Sequence, residues 1–193
     1  MVARPRLRHG ALLLSIALVG CVGGTEVPTS PLPGAGEIDG GLADDGGSAP
    51  GGDAFSSAPI CTSGTMWTQG NHGSSQMNPG RACIACHSTM DGPPLTIAGT
   101  IYPTGHEPDL CKGADGSNGV VVEITGADGK TLTLTPGASG NFETGGGVMY
   151  PFTAKVTYMG RTRAMTAAQS SGDCNGCHTQ AGANGAPGRI VLP

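Results

Sequence analysis

The chain is short of the side chains that build large cores. Among its 193 residues the aromatic share is 4%, from three Phe, three Tyr and one Trp. So few large apolar groups do not fill an enzyme barrel or a doubly wound nucleotide-binding fold. Positive charge is also scarce: ten Lys and Arg stand against 14 Asp and Glu. The formal net charge of −4 argues against nucleic acid as a partner. No apolar run after the first twenty residues is long enough to span a bilayer. Helical periodicity of useful length is missing, apart from a short turn expected around Arg163 to Gln169. There is no Ser-His-Asp spacing, no phosphate loop and no basic stripe. Asp115-Gly116 and Asp128-Gly129 read as turns rather than calcium ligands, because no oxygen-rich loop surrounds them. The plentiful residues are glycine and proline, 35 and 15, together about a quarter of the chain. Seven cysteines are the other excess.

The N-terminus has the layout of an export signal. Arg4, Arg6 and Arg8 precede a short apolar run from Ala11 to Val19. Leu18-Val19-Gly20-Cys21 follows and resembles the lipobox of bacterial lipoproteins. That resemblance implies cleavage before Cys21, lipid on its sulfur and a firm membrane anchor. An ordinary secretory signal with an incidental cysteine is the alternative. Removal of 1–20 takes three arginines and leaves 7 basic against 14 acidic groups. Val22 is not an acidic inner-membrane retention signal, so an exported, lipid-anchored outer-membrane location of the bacterial envelope is preferred. Residues 21–59 read as a disordered tether. They are dense in Gly, Pro, Ser and Ala, and from 22 to 60 carry six acids and no Lys or Arg. Such a segment does not bury enough apolar surface to offset its ordering entropy.

The remainder, 60–193, has a β middle at about 95–166. Leu95 to Tyr102 and Thr131 to Thr135 alternate, Val120 to Thr125 is a β-branched run, and Phe152 to Tyr158 is a further strand. Asn141-Phe142-Glu143-Thr144 follows a Gly turn, and Met159-Gly160-Arg161 leads into Thr162 to Met165. The expected class is mainly β: a small β-sandwich flanked by irregular segments with little helix and preceded by the disordered linker. The run from Val120 through Gly140-Asn141-Phe142 resembles the carboxypeptidase-regulatory-like and transthyretin-like sandwiches.

Two copies of one motif flank the strands. Cys83-Ile84-Ala85-Cys86-His87 and Cys174-Asn175-Gly176-Cys177-His178 are both C-x-x-C-H. This is the attachment signature of c-type haem. Two thiols three positions apart can add to the two vinyl groups of one porphyrin, and the histidine after the second thiol then lies under the iron. Overall the chain resembles a small dihaem c-type cytochrome lipoprotein. The resemblance implies two haem c groups, with Cys83, Cys86, Cys174 and Cys177 as thioether sulfurs and His87 and His178 as proximal ligands. Zinc is the rival cofactor, although Cys86 and Cys174 are 88 positions apart, far beyond a usual zinc ribbon. A cofactor-free disulfide protein is a further alternative, and a thioredoxin-like site lacks its βαβ context.

Distal ligands are open. His9 leaves with the signal, so His72 and His106 remain as one spare histidine per haem. Methionine competes and raises the reduction potential. Met77 lies near the first motif and Met165 shortly before the second. Both histidines also fit surface loops, and both methionines fit core filling. Four thioethers and one lipid leave Cys61 and Cys111, an even remainder that argues for a disulfide over two free thiols in an oxidising compartment. Trp67 is expected in core or haem packing.

The function expected is electron transfer between redox proteins of the cell envelope, with no catalytic residues and the two haems near each other. One rival is a peroxidase-like haem enzyme, which needs an iron with an open distal side. The other is a ligand-binding β module in which haem or zinc is structural or sensory.

Overall fold

The computed structural model describes residues 53–193. The export signal 1–20, Cys21 and tether residues up to 52 lie outside the described residues. The rest of the expected tether, 53–59, is placed against the domain. Ala54 O accepts from Gly105 N at 2.8 Å, and the half-buried Phe55 ring packs edge-on against His106 at 6.3 Å. An aromatic in a polar segment has surface to bury, and this one marks where the ordered chain begins.

Among the described residues the fold is mainly β, with seven strands in two sheets. The elements in chain order are α1 (Cys83–Thr89), β1 (Ile97–Tyr102), β2 (Val121–Thr125), β3 (Thr131–Leu134), β4 (Asn141–Thr144), β5 (Thr153–Tyr158), β6 (Arg161–Ala164), α2 (Cys174–Cys177) and β7 (Ile190–Val191). A 3-10 turn at Gly116–Asn118 precedes β2. One sheet runs β4-β1-β7 and the other β3-β2-β5-β6. The 163–169 turn does not form a helix: Arg163 and Ala164 belong to β6, whose pairing with β5 supplies the backbone partners a helix would need. The short strand β7 and the regular helix over the first motif have no counterpart in the expected element set.

The pattern that makes the strands also makes the core. β2 alternates, with Val122 and Ile124 buried and Val121, Glu123 and Thr125 half-exposed. Ile97 and Ile101 of β1 meet Val122, Ile124, Phe142, Phe152 and Val156 in one cluster between the sheets. β1 is the exception to alternation, since all six of its residues are buried. The motif helices explain it: α1 and α2 both pack on β1. Cys61 and Cys111 form a disulfide closing a separation of 50 residues, worth roughly 4 kcal/mol on the chain-entropy account. Among the described residues no helix is long and apolar enough to cross a membrane.

Candidate functional site

The two C-x-x-C-H segments, far apart in sequence, lie side by side on β1. Gly172 and Asp173 run along the β1 edge: Gly172 O accepts from Ala98 N at 2.9 Å, and Asp173 bridges Ala98 in parallel. The chain then turns into α2 and later returns to the strand as β7. Asp173 stands at the N-cap of α2 but does not cap it with its side chain. Its Oδ2 instead accepts from Ala85 N at 2.9 Å, in the first turn of α1. Helix α1 has no side-chain cap of its own, so a carboxylate of the second motif satisfies an orphan donor of the first.

Asn175 makes the second link. This fully buried amide, 2% exposed, accepts from Thr100 N at 3.0 Å and donates to Thr100 Oγ1 at 3.0 Å and to Arg81 O at 2.9 Å. Thr100 Oγ1 in turn donates to Asn141 Oδ1 at 2.8 Å. Asn141 Nδ2 reaches Ser75 O and Met77 O at 3.2 and 2.9 Å. The loop before the first motif is therefore fastened to β1 through Asn175 of the second motif and to β4 through Asn141. Arg189, 1% exposed, adds a third tie. Its guanidinium donates to Gly80 O at 2.9 Å, Glu107 O at 2.8 Å, His178 O at 3.4 Å and Asp109 Oδ1 at 2.6 Å, and it lies 5.2 Å from the Tyr102 ring centroid. Sequence reasoning missed Asp173, Asn175 and Arg189 as site residues. Asp173 and Asn175 sit beside or inside a motif, but nothing local says that their partners lie about ninety residues away.

The motif histidines share one arrangement. His87 Nδ1 is 3.0 Å from Pro93 O, and His178 Nδ1 is 2.9 Å from Gly188 O. A carbonyl oxygen only accepts, so Nδ1 is the donor in each ring and a neutral ring keeps its lone pair on Nε2. Backbone clamping of one ring nitrogen is the usual support of a metal-binding histidine. Burial holds the His178 pKa below its ordinary value, although the Gly188 contact opposes this, and favours the neutral, metal-binding form. Gly92 lets its loop lie on the His87 ring, where a Cβ would be 2.6 Å from Cγ.

Among the motif cysteines, Cys83, Cys86 and Cys174 carry free thiols. Burial first, and the Asp173 charge second, push the Cys83 and Cys174 thiols up to about 12. Cys86 Sγ points at Met90 Sδ, 3.6 Å away on the next turn. A cavity of about 320 Å³ opens between the sandwich and the second motif. Cys174, Cys177 and His178 lie on one part of its wall, and Phe152, Val156 and Met165 on another.

The candidate distal residues separate clearly. Met165 shares the cavity with the second motif and packs on the core cluster. His106 is engaged at both ring nitrogens, with Gln180 O at 2.6 Å and Phe55 O at 2.9 Å. It fastens the N-terminal segment to the second-motif loop. His72 is exposed in a turn. Met77 is half-buried in the loop ahead of the first motif, held through its carbonyl by Asn141. Trp67 is buried and donates from its indole to Gly70 O at 2.7 Å. Glu107 lies with the sulfurs of Cys61 and Cys111 in a cluster of metal-ligand type, but those sulfurs are joined to each other. Comparison with known proteins finds no matching family model, no matching curated protein and no matching solved structure.

Proposed function

We propose that the chain is a dihaem c-type cytochrome that carries electrons between redox proteins of the bacterial envelope, tethered there by lipid on Cys21. The observation that carries the reading is the common geometry of the two C-x-x-C-H segments. Each histidine has Nδ1 clamped by a backbone carbonyl and Nε2 left for a metal, and the two segments are linked through Asp173 and Asn175. Haem c, when attached, supplies a one-electron iron couple at each motif. Cys83 with Cys86, and Cys174 with Cys177, are the sulfurs for thioether attachment, and His87 and His178 are the proximal ligands. The apolar cavity beside Cys174 and His178 suits a porphyrin face. Met165 on its wall is the sixth ligand proposed for the second motif, while His106 serves as a structural clamp.

Intact-protein mass after expression in a host competent for cytochrome maturation tests the reading directly. Two haem adducts are expected on the wild type and one on the Cys83→Ala/Cys86→Ala double variant. Absence of any adduct on the wild type overturns it. Absorption spectra then divide the readings: two low-spin irons accord with a carrier, and a high-spin iron points to peroxidase-like chemistry or sensing. Met165→Leu is expected to alter the spectrum of one haem and leave the other unchanged.

A further inference from the structure

We infer that Asp173 is a shared electrostatic control of the two motifs, its carboxylate holding down the reduction potential of the iron at each. The inference rests on the dihaem reading. Three observations place the charge. Asp173 directly precedes Cys174, and its Oδ2 accepts from Ala85 N between Cys83 and Cys86, so one carboxylate touches both motif segments. Its other oxygen, Oδ1, is buried without a hydrogen-bond partner, so part of its charge is neither neutralised by the protein nor open to bulk water. Asp173 also lies on the wall of the cavity that His178 shares. The thiols register the same field: Asp173 is the largest charged contribution raising both Cys83 and Cys174.

A nearby negative charge favours the ferric over the ferrous state, because the oxidised centre carries one more positive charge. At an effective dielectric of about 20, a unit charge acting over roughly 10 Å changes such an equilibrium by about an order of magnitude. The structure also supplies a contrast. Glu143 flanks Ala98 on the β4 side, as Asp173 flanks it on the other. Glu143 acts electrostatically on Cys83 and His87 but does not figure among the influences on Cys174. Two carboxylates in one row across the sheet thus differ in reach, one joined to both motif segments and the other acting on the first through its charge.

The test is a spectroelectrochemical titration of the full haem-loaded protein. Asp173→Asn keeps an acceptor for Ala85 N and removes the charge. It is expected to shift both couples toward the reduced form by about tenfold each, about 59 mV for one electron. Glu143→Gln is expected to move one couple only. A thermal melt followed by circular dichroism checks folding, and Asp173→Ser, also a neutral acceptor, carries the same test if the Asn variant does not fold. Two haem couples present but one or neither moved by loss of the Asp173 charge would overturn the inference and leave the cytochrome reading standing. No haem couple in the wild type removes both.

Discussion

The two C-x-x-C-H segments have the same spacing and are built in opposite ways. The first is a seven-residue helix with several half-buried but no fully buried residues, packed on β1. The second is a single turn worked into the sheet edge, with its first inner residue buried. The inner residues account for the contrast. Ala85 is the best helix former, and neither Ile84 nor Ala85 carries a polar side-chain atom that needs a partner, so the first motif continues as a helix. Asn175 carries a donor and an acceptor that must be satisfied once buried. It finds them on β1 and on the chain before Cys83. The second motif therefore acts as a structural keystone, and the first leans on it.

The contrast vanishes at the leading cysteines, and the largest expected effect tests that point. Cys83 and Cys174 are both pushed up to about 12, mainly by burial, from an ordinary value of 9.0. A raised thiol pKa leaves the neutral, unreactive form dominant until the pH approaches the raised value. In haem-free protein at pH 8, both are expected to react with iodoacetamide about a thousandfold more slowly than after unfolding, with rates rising tenfold per pH unit. Residue-resolved mass spectrometry measures this. Rapid native alkylation of Cys174 would break the buried picture of the second motif.

The next effect separates the motifs. Asn175→Ala strands Thr100 N and Arg81 O and is expected to cost about 3 kcal/mol of unfolding free energy. Ile84→Ala, at the matching position of the first motif, removes half-buried aliphatic surface and is expected to cost about 1 kcal/mol. Urea denaturation of both variants decides, and equal losses would abolish the keystone role.

Much of this architecture was legible in the residues, for physical reasons that also mark where legibility stops. Alternation, β-branching and turn residues located β1 to β6 within a residue or two, most plainly where a strand such as β2 buries one face. β7 was not legible: Ile190-Val191 is too short to show a period, and it becomes a strand only through the partner β1 offers. The Cys61–Cys111 disulfide followed from counting sulfurs. The motif thiols and histidines were legible because their spacing is local. Asp173, Asn175 and Arg189 were not, because each acts on residues about eighty to a hundred positions away. His106 shows the limit from the other side. Counting histidines assigns it as a spare ligand, whereas its surroundings occupy both nitrogens.

The smallest effect compares the glycines that press on each motif. At Gly99 in β1 a Cβ would lie 2.7 Å from Phe142 Cζ and 3.0 Å from Cys174 Cβ. Both neighbours belong to or pack on the core cluster, so neither yields without moving others, and Gly99→Ala is expected to cost about 2 kcal/mol through overpacking. At Gly92 a Cβ would lie 2.6 Å from His87 Cγ, a closer clash. That ring stands on a helix with no fully buried residue, which leaves ring and loop more room to shift together and keep the Pro93 contact. Gly92→Ala is therefore expected to lose less than about 1 kcal/mol, though its contact is the tighter one. Thermal melts of the two variants rank them. If Gly92→Ala proved the more damaging, distance alone would govern the cost, and the division into a leaning first motif and a fixed second one would have to be given up.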